Sequence, residues 1–474
     1  MAVRALNEII DRRARERGTP LPRARQRIAL AYPSPYRVGM SSLGFQWIAG
    51  VLADAGFGVE RVFLPDDVEL WRKLRQPPVS MESLTPLGQF SVVGVSLAYE
   101  LELAGLVELL RLAGIPPLRR DRTARHPKIV IGGPLTFSNP LTAGPFADAM
   151  LFGEADDVVA PAFQGFFDTG SLDHVATLPG GWLPGMGLVP VAKADDAKLP
   201  ARSRILSPDT ELHDMLLIEG ERGCHRSCTF CVMRRSTNGG MRLVTPARVL
   251  EGVPDEAKRV GLVGAAISDH PELVSLIGAI VDSGRGVGIS SLRADRVALK
   301  PDIPRLLRKG GYATLTVASD AASQRLRRTM SKGTTEAHLV ACAEAAREHK
   351  YRTLKVYMMV GVPDEQDEDI EELVAFTRRL AAIHPVAIGV APFVPKFNTP
   401  MDKSDFAGIS RVEKRLARIR QGIRGVRAEL RPTSARWAWA EYRLAQGGDA
   451  EGEAVYKAVL AGGTFADWKR ELGG

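Results

Sequence analysis

Cysteine is scarce in this chain, four in 474 residues. A disulfide scaffold is thereby excluded, because Cys224, Cys228 and Cys231 crowd one short run and only Cys342 is left to pair with any of them. Long apolar runs are missing too, and no stretch approaches the ~18 residues that read as a membrane span. The first 26 residues, broken by Arg12, Arg13, Arg15 and Arg17, lack the apolar centre of a secretory signal. Together these absences lead us to expect a reduced, cytoplasmic protein with no membrane partner. What is present is ordinary for a globular chain, 45% hydrophobic and 25% charged with a net charge of +8, and its length suits two or three domains.

The crowded cysteines stand in Glu221-Arg-Gly-Cys-His-Arg-Ser-Cys-Thr-Phe-Cys-Val232. A four-iron, four-sulfur cluster ordinarily takes four thiolates, so a loop offering three leaves one iron open to another ligand. Zinc is the competing reading, since three thiolates and His225 would complete a tetrahedron. Against zinc, no second pair of cysteines exists, and His225 follows Cys224 too closely to swing easily onto the same ion. Cys342 falls on the apolar face of a helical pattern with Leu339 and Ala346, the place of an inert buried thiol.

Ahead of the cysteine run, strand and helix patterns alternate. Residues 27–32 read as a buried strand, 44–56 as a helix closed by glycine, 92–96 as a strand, 101–113 as a helix, and 128–131 as a strand entering Gly132-Gly133-Pro134. Such alternation predicts a doubly wound, parallel sheet with its ligand site at the carboxyl ends of the strands. Six further strand candidates, 215–219, 260–266, 287–290, 313–318, 354–360 and 387–392, alternate with helical stretches and place the cysteine loop directly after the first of them. The fold class expected is α/β. A basic segment (1–26) precedes a Rossmann-like doubly wound domain (27–165), then a Pro- and Gly-rich linker (166–210), a partial (βα)6 TIM-type barrel (211–402) and a short helical C-terminal region (403–474).

The pattern Cys-x3-Cys-x-aromatic-Cys, with Phe230 as the aromatic, resembles the signature of the radical SAM superfamily. The resemblance implies that Cys224, Cys228 and Cys231 hold a four-iron four-sulfur cluster whose free iron binds S-adenosylmethionine. It also implies reductive cleavage to a 5′-deoxyadenosyl radical, fed by an electron donor such as flavodoxin or ferredoxin. Later turns are similar to radical SAM enzymes related to the methylthiotransferases: Ser290-Ser-Leu-Arg293, Ala318-Ser-Asp320 through Leu326, Gly361-Val-Pro363 and Pro392-Phe-Val-Pro-Lys396. By that likeness Phe230, Ser290, Arg293, Asp320 and Gly361 contact S-adenosylmethionine. The usual Gly-Gly-Glu element after the second strand reads here Gly264-Ala265-Ala266, and one spare cysteine cannot build the second cluster of a methylthiotransferase.

Residues 27–160 resemble the cobalamin-binding-like domain fused ahead of many radical SAM enzymes, through Tyr32-Pro33, Val93-Gly-Val-Ser96, Gly132-Gly133-Pro134, Asn139-Pro140, Asp148 and Gly153-Glu154. That likeness implies cobalamin near Ser96, Gly132 and Gly133, and methyl transfer as the reaction. The Asp-x-His-x-x-Gly element that supplies a histidine ligand is absent, so the alternative is a Rossmann-like domain without the cofactor. Two further alternatives stand beside it: a cobalamin-independent radical SAM enzyme acting on RNA through a basic helix over 411–430 (Arg415, Arg418, Arg420, Arg424, Arg427), or a non-catalytic iron-sulfur protein. The substrate is not legible, and no catalytic acid or base stands out. The aromatics Trp437, Trp439, Tyr442 and Trp468 are expected to cap the barrel's packing.

Overall fold

The computed structural model describes residues 2–233 and 240–473. It divides into two compact units: one runs to Leu216 and takes in Arg443 onward, and the other holds Leu217 to Tyr442.

The first unit is built on a six-stranded sheet. Its central strands, Arg27–Tyr32, Val92–Ser96 and Lys128–Gly132, are those expected from their β-branched and apolar runs, and they pair in parallel. One edge strand, Gly58–Phe63, pairs in parallel with Arg27–Tyr32 and was not foreseen. It was hidden by Glu60 and Arg61 in its middle, both of which are buried. Arg61, 2% exposed, is neutralised by Glu16 (Nη2 to Oε2, 2.7 Å) and Glu82 (Nε to Oε1, 2.7 Å), and the Tyr36 hydroxyl donates to Glu16 as well (2.6 Å). Glu60 accepts from Arg27 (2.6 Å) and the Ser80 hydroxyl (2.6 Å). The stretch expected as a linker is not one throughout, because Gly181–Trp182 adds an antiparallel strand beside Ala149–Leu151.

The C-terminal region also differs from its expectation as one helical block. From Arg443 on, it belongs to the first unit. Asn139 donates through Nδ2 to the carbonyls of Ala445 (3.1 Å) and Gly447 (2.7 Å), closing the end of the helix Ala435–Gln446. Gly452 lets the helix Asp449–Ala461 lie on the backbone of the same segment, where a Cβ would come within 2.2 Å of the Thr142 carbonyl oxygen. Trp468, 2% exposed, is therefore core of the first unit rather than a cap on the barrel.

In the second unit the βα repeats form two sheets. Met215–Glu219, Arg259–Val263 and Gly286–Ile289 make a three-stranded sheet, and Leu292–Arg293, Thr314–Ala318, Thr353–Val360, Val386–Pro392 and Ala428–Pro432 make a five-stranded parallel one. The last strand corrects the expected basic helix over 411–430. The helix is Ile409–Gly422, Gly425 then takes φ +77°, and the chain re-enters the sheet beside Val386–Pro392. Of the arginines of that stretch only Arg415 turns inward, buried against Glu365 (2.6 Å); Arg418, Arg420, Arg424 and Arg427 are exposed, Arg418 pairing with Asp367 (2.9 Å) and Arg427 donating to the Ala382 carbonyl (3.1 Å). No described helix is long and apolar enough to cross a membrane.

Removing Arg61 strands two buried carboxylates, and breaking a buried ion pair costs about 3–5 kcal/mol. Arg61→Met should lower the unfolding free energy from urea melts by that amount and the urea midpoint with it, whereas exposed Arg72→Met should change that free energy by less than about 1 kcal/mol. Equal midpoints for the two variants would show that the buried triad contributes nothing.

Candidate functional site

The cysteines lie where the first barrel strand ends. After Met215–Glu219 the chain turns at Gly220 into a short strand, Glu221–Cys224, which pairs antiparallel with Gly240–Leu243 and sets Cys224 opposite Gly240. The three thiols are free. Cys228 is buried and its Sγ faces the Ser331 carbonyl at 3.8 Å, while Cys224 and Cys231 are half-buried. Burial pushes the Cys224 and Cys231 thiols above their ordinary value, and the charge of Cys228 acts in the same direction on both. The Arg226 amide donates to Cys224 Sγ (3.4 Å), and the Thr229 amide donates to the Met330 carbonyl (3.2 Å).

Among the described residues no three His, Cys, Asp or Glu side chains gather tightly enough to hold a single metal ion. His225 is not drawn in as a fourth zinc ligand; its Nε2 lies 3.9 Å from Asp269. Three separate thiols, close enough to feel one another's charge, suit a cubane that binds each of them on a different iron.

The other positions singled out from sequence fall at the ends of later strands. Phe230 is half-buried in the cysteine loop, and Ser290 is exposed just beyond Gly286–Ile289. Arg293 is buried and committed inside the protein, pairing with Asp295 (Nε to Oδ1, 3.0 Å) and donating to the Lys332 carbonyl (2.9 Å). Asp320 stands at φ +62° with its carboxylate on Lys332, and its amide donates to the Tyr357 carbonyl (3.1 Å). Gly361, at φ +80°, donates its amide to Glu365 Oε1 (2.9 Å), and a Cβ there would lie 3.0 Å from that of Ala407. Cys342 is wholly buried, as expected, and burial raises its thiol pKa.

In the first unit Ser96 and Gly132 are register partners on adjacent parallel strands, at the carboxyl end of the sheet. Gly133 follows with φ +103°, and the space of its missing Cβ is taken by the chain itself, Leu97 O at 2.6 Å and Ser96 Oγ at 3.0 Å. Only Gly132 leaves room, its nearest neighbour being Leu151 O at 3.7 Å.

Sequence reasoning passed over Glu221, Arg226 and Asp269. Glu221 is 1% exposed; its Oε1 accepts the Ala266 amide (2.6 Å), and its Oε2 has no hydrogen-bond partner among the described residues. It fills the space beside Gly264, where a Cβ would come within 2.3 Å of Oε1. Its carboxyl thus occupies the turn after the second strand, where Gly264-Ala265-Ala266 offers none of its own. Burial pushes this carboxyl up to about 7, the Ala266 amide opposing and nearby Glu219 and Asp269 reinforcing the rise.

A carboxyl that titrates near 4.5 when unfolded and about 7 when folded holds its proton more tightly in the folded state. Stability therefore falls as pH rises between those values and levels off above them. Glu221→Gln, neutral throughout, should be more stable than wild type by up to roughly 3 kcal/mol near pH 8, with the advantage vanishing toward pH 4.5. Urea melts of the apo-protein at the two pH values check this; a difference independent of pH would contradict it.

Comparison with known proteins agrees with this architecture. A family model described as radical SAM proteins, N-terminal, matches residues 44–171, and one described as the radical SAM superfamily matches residues 218–377. An uncharacterized protein of Methanocaldococcus jannaschii, MJ0966, is 27% identical over 420 residues, covering 85% of each chain. A ribosomal protein uS12 methylthiotransferase RimO of Desulfosudis oleivorans is 27% identical over 255 residues, 49% of this chain and 56% of that one. Among solved structures, the cobalamin-dependent S-adenosylmethionine radical enzyme OxsB with aqua-cobalamin and S-adenosylmethionine bound superposes with TM-score 0.52 at 14% identity over 84% of this chain. This chain spans 56% of that enzyme's length. The superfamily implies a four-iron four-sulfur cluster and S-adenosylmethionine. With residues 218–377 matched by the one model and residues 44–171 by the other, the chain carries a radical SAM domain and, ahead of it, the N-terminal domain found in radical SAM proteins.

Proposed function

We propose that Cys224, Cys228 and Cys231 hold the cluster and that the chain is a cobalamin-dependent radical SAM methyltransferase. The observation that carries the first part is the set of three free thiols in one loop at the end of the first barrel strand, which supplies one thiolate fewer than a cubane takes. When bound, the cluster and S-adenosylmethionine supply an electron and a 5′-deoxyadenosyl radical, chemistry that belongs to the cofactors. The chain's own residues bind and orient. The Thr229 amide on the Met330 carbonyl and the Cys228 thiol near the Ser331 carbonyl fix the loop against the turn that closes the helix Gln324–Thr329. Asp320, held by Lys332, and Gly361, held by Glu365, then offer a carboxylate and a tight turn toward the sugar and base of the nucleoside.

Cobalamin rests on the first unit. Supporting it are the parallel sheet with Ser96 and Gly132 side by side at its carboxyl end, the space beside Gly132, and a fold shared with an enzyme that binds cobalamin. A bound corrin would supply the methyl group for transfer to a carbon. The basic helix of the RNA alternative is not continuous, since Ile409–Gly422 gives way to the strand Ala428–Pro432, and of its arginines Arg415 is buried against Glu365.

Anaerobically reconstituted protein given S-adenosylmethionine and dithionite should release 5′-deoxyadenosine, and Cys228→Ala should release none; equal yields from the two would refute the cluster assignment. Protein incubated with hydroxocobalamin should keep corrin absorbance through gel filtration. Its complete loss would leave a radical SAM enzyme that does not use cobalamin.

A further inference from the structure

The cysteine loop contains a cation whose position is set from outside the loop. Arg226, midway between Cys224 and Cys228, lays its guanidinium against Asp269 as a fork, Nε to Oδ2 at 2.7 Å and Nη2 to Oδ1 at 2.5 Å. The Asp269 side chain has 0% exposure and ends the turn Ile267–Asp269 that follows the second strand. It also receives Arg296 Nε at 2.6 Å, so one carboxylate is shared by two guanidinium groups. The turn is itself fastened, since Ser268 Oγ accepts the Arg293 amide (3.1 Å) and the His270 ring lies 3.0 Å from the Val244 carbonyl, next to the strand that pairs with Cys224. Arg226 reaches the thiols by its backbone, its amide donating to Cys224 Sγ at 3.4 Å.

Two consequences follow from elementary electrostatics. A cluster's potential responds to nearby charge and to hydrogen bonds on its sulfurs, and a cation beside it favours the reduced, more negative form. A forked, half-shielded arginine holds its geometry better than a flexible ammonium would. On the functional reading above, on which this step rests, we infer that Asp269 is a positioning residue that pins Arg226 in the cysteine loop, and that Arg226 raises the reduction potential of the cluster while its fork slows cluster loss.

The test uses the full chain, reconstituted anaerobically, with iron content, an EPR-monitored redox titration and the rate of iron loss to a chelator as readouts. Arg226→Gln, which removes a positive charge, should shift the midpoint potential to a more negative value. Asp269→Asn removes a negative charge and should shift it the opposite way, while losing iron at least about tenfold faster because a buried pair is broken. Arg226→Lys keeps the charge without the fork, so its potential should stay near wild type while iron loss quickens. Opposite shifts in the first two variants are something a purely structural role would not produce. Shifts of the same sign, or potentials and iron retention unchanged in all three, overturn the inference alone. A wild-type chain that takes up no iron overturns the functional reading and this inference with it.

Discussion

A loop of three cysteines must be shaped by what surrounds it. Between the short strand Glu221–Cys224 and its partner Gly240–Leu243 the described chain has almost no ladder of its own. Its geometry comes from the ends of other strands: Asp269 after the second grips Arg226, and Met330 and Ser331, beyond the fourth, receive Thr229 and Cys228. Parallel strands deliver these loops to one end, which is the property that lets βα barrels build sites from segments far apart in sequence. The acidic and basic groups there are matched: burial alone would raise Asp269, but hydrogen bonds from Arg226 and Arg296 hold its carboxyl down at about 2. Arg293 pairs with Asp295, and Lys332 with Asp320. Glu221 is the exception, a buried carboxyl with one oxygen unpartnered among the described residues, raised toward neutrality by its surroundings.

The first unit shows how a sheet edge can carry buried charge. Arg61 and Glu60 alternate on Gly58–Phe63, and each is met by partners from elsewhere in the unit, so neither face of the edge strand is left with an uncompensated ion. Glu16 joins the N-terminal segment to that network, and Asn139 joins the C-terminal helices to the segment after Gly133. Asn139-Pro140, noticed in the sequence as part of a cofactor-domain likeness, thus serves the packing of the chain's own end. Gly133 has a similar double reading: its left-handed conformation is required by the close approach of Leu97, whether or not a ligand lies nearby.

Much of the architecture was legible because its strands are apolar runs and its helices carry one apolar stripe. Val92–Ser96, Lys128–Gly132, Met215–Glu219 and Val386–Pro392 all declare themselves in this way. Gly58–Phe63 did not, since paired charges in its centre look like surface in a one-dimensional reading. Nor did Ala428–Pro432, because Val426 and Leu430 continue a helical spacing that Gly425 interrupts. For the site, the cysteines and the glycine-containing turns were visible as motifs. Glu221, Arg226 and Asp269 were not, because what singles them out is distance in space: Arg226 and Asp269 lie 43 positions apart, and Glu221 and Ala266 lie 45 apart. No spacing rule within a helix or strand reaches that far.

On the proposed function, one iron of the cluster held by Cys224, Cys228 and Cys231 lies open to an outside ligand. Electron–nuclear double resonance on the reduced, reconstituted protein, with S-adenosylmethionine labelled by nitrogen-15 in its amino group, tests that directly. A resolved nitrogen-15 coupling to the cluster spin is the predicted result. A cluster signal that is identical with and without the labelled compound would contradict it.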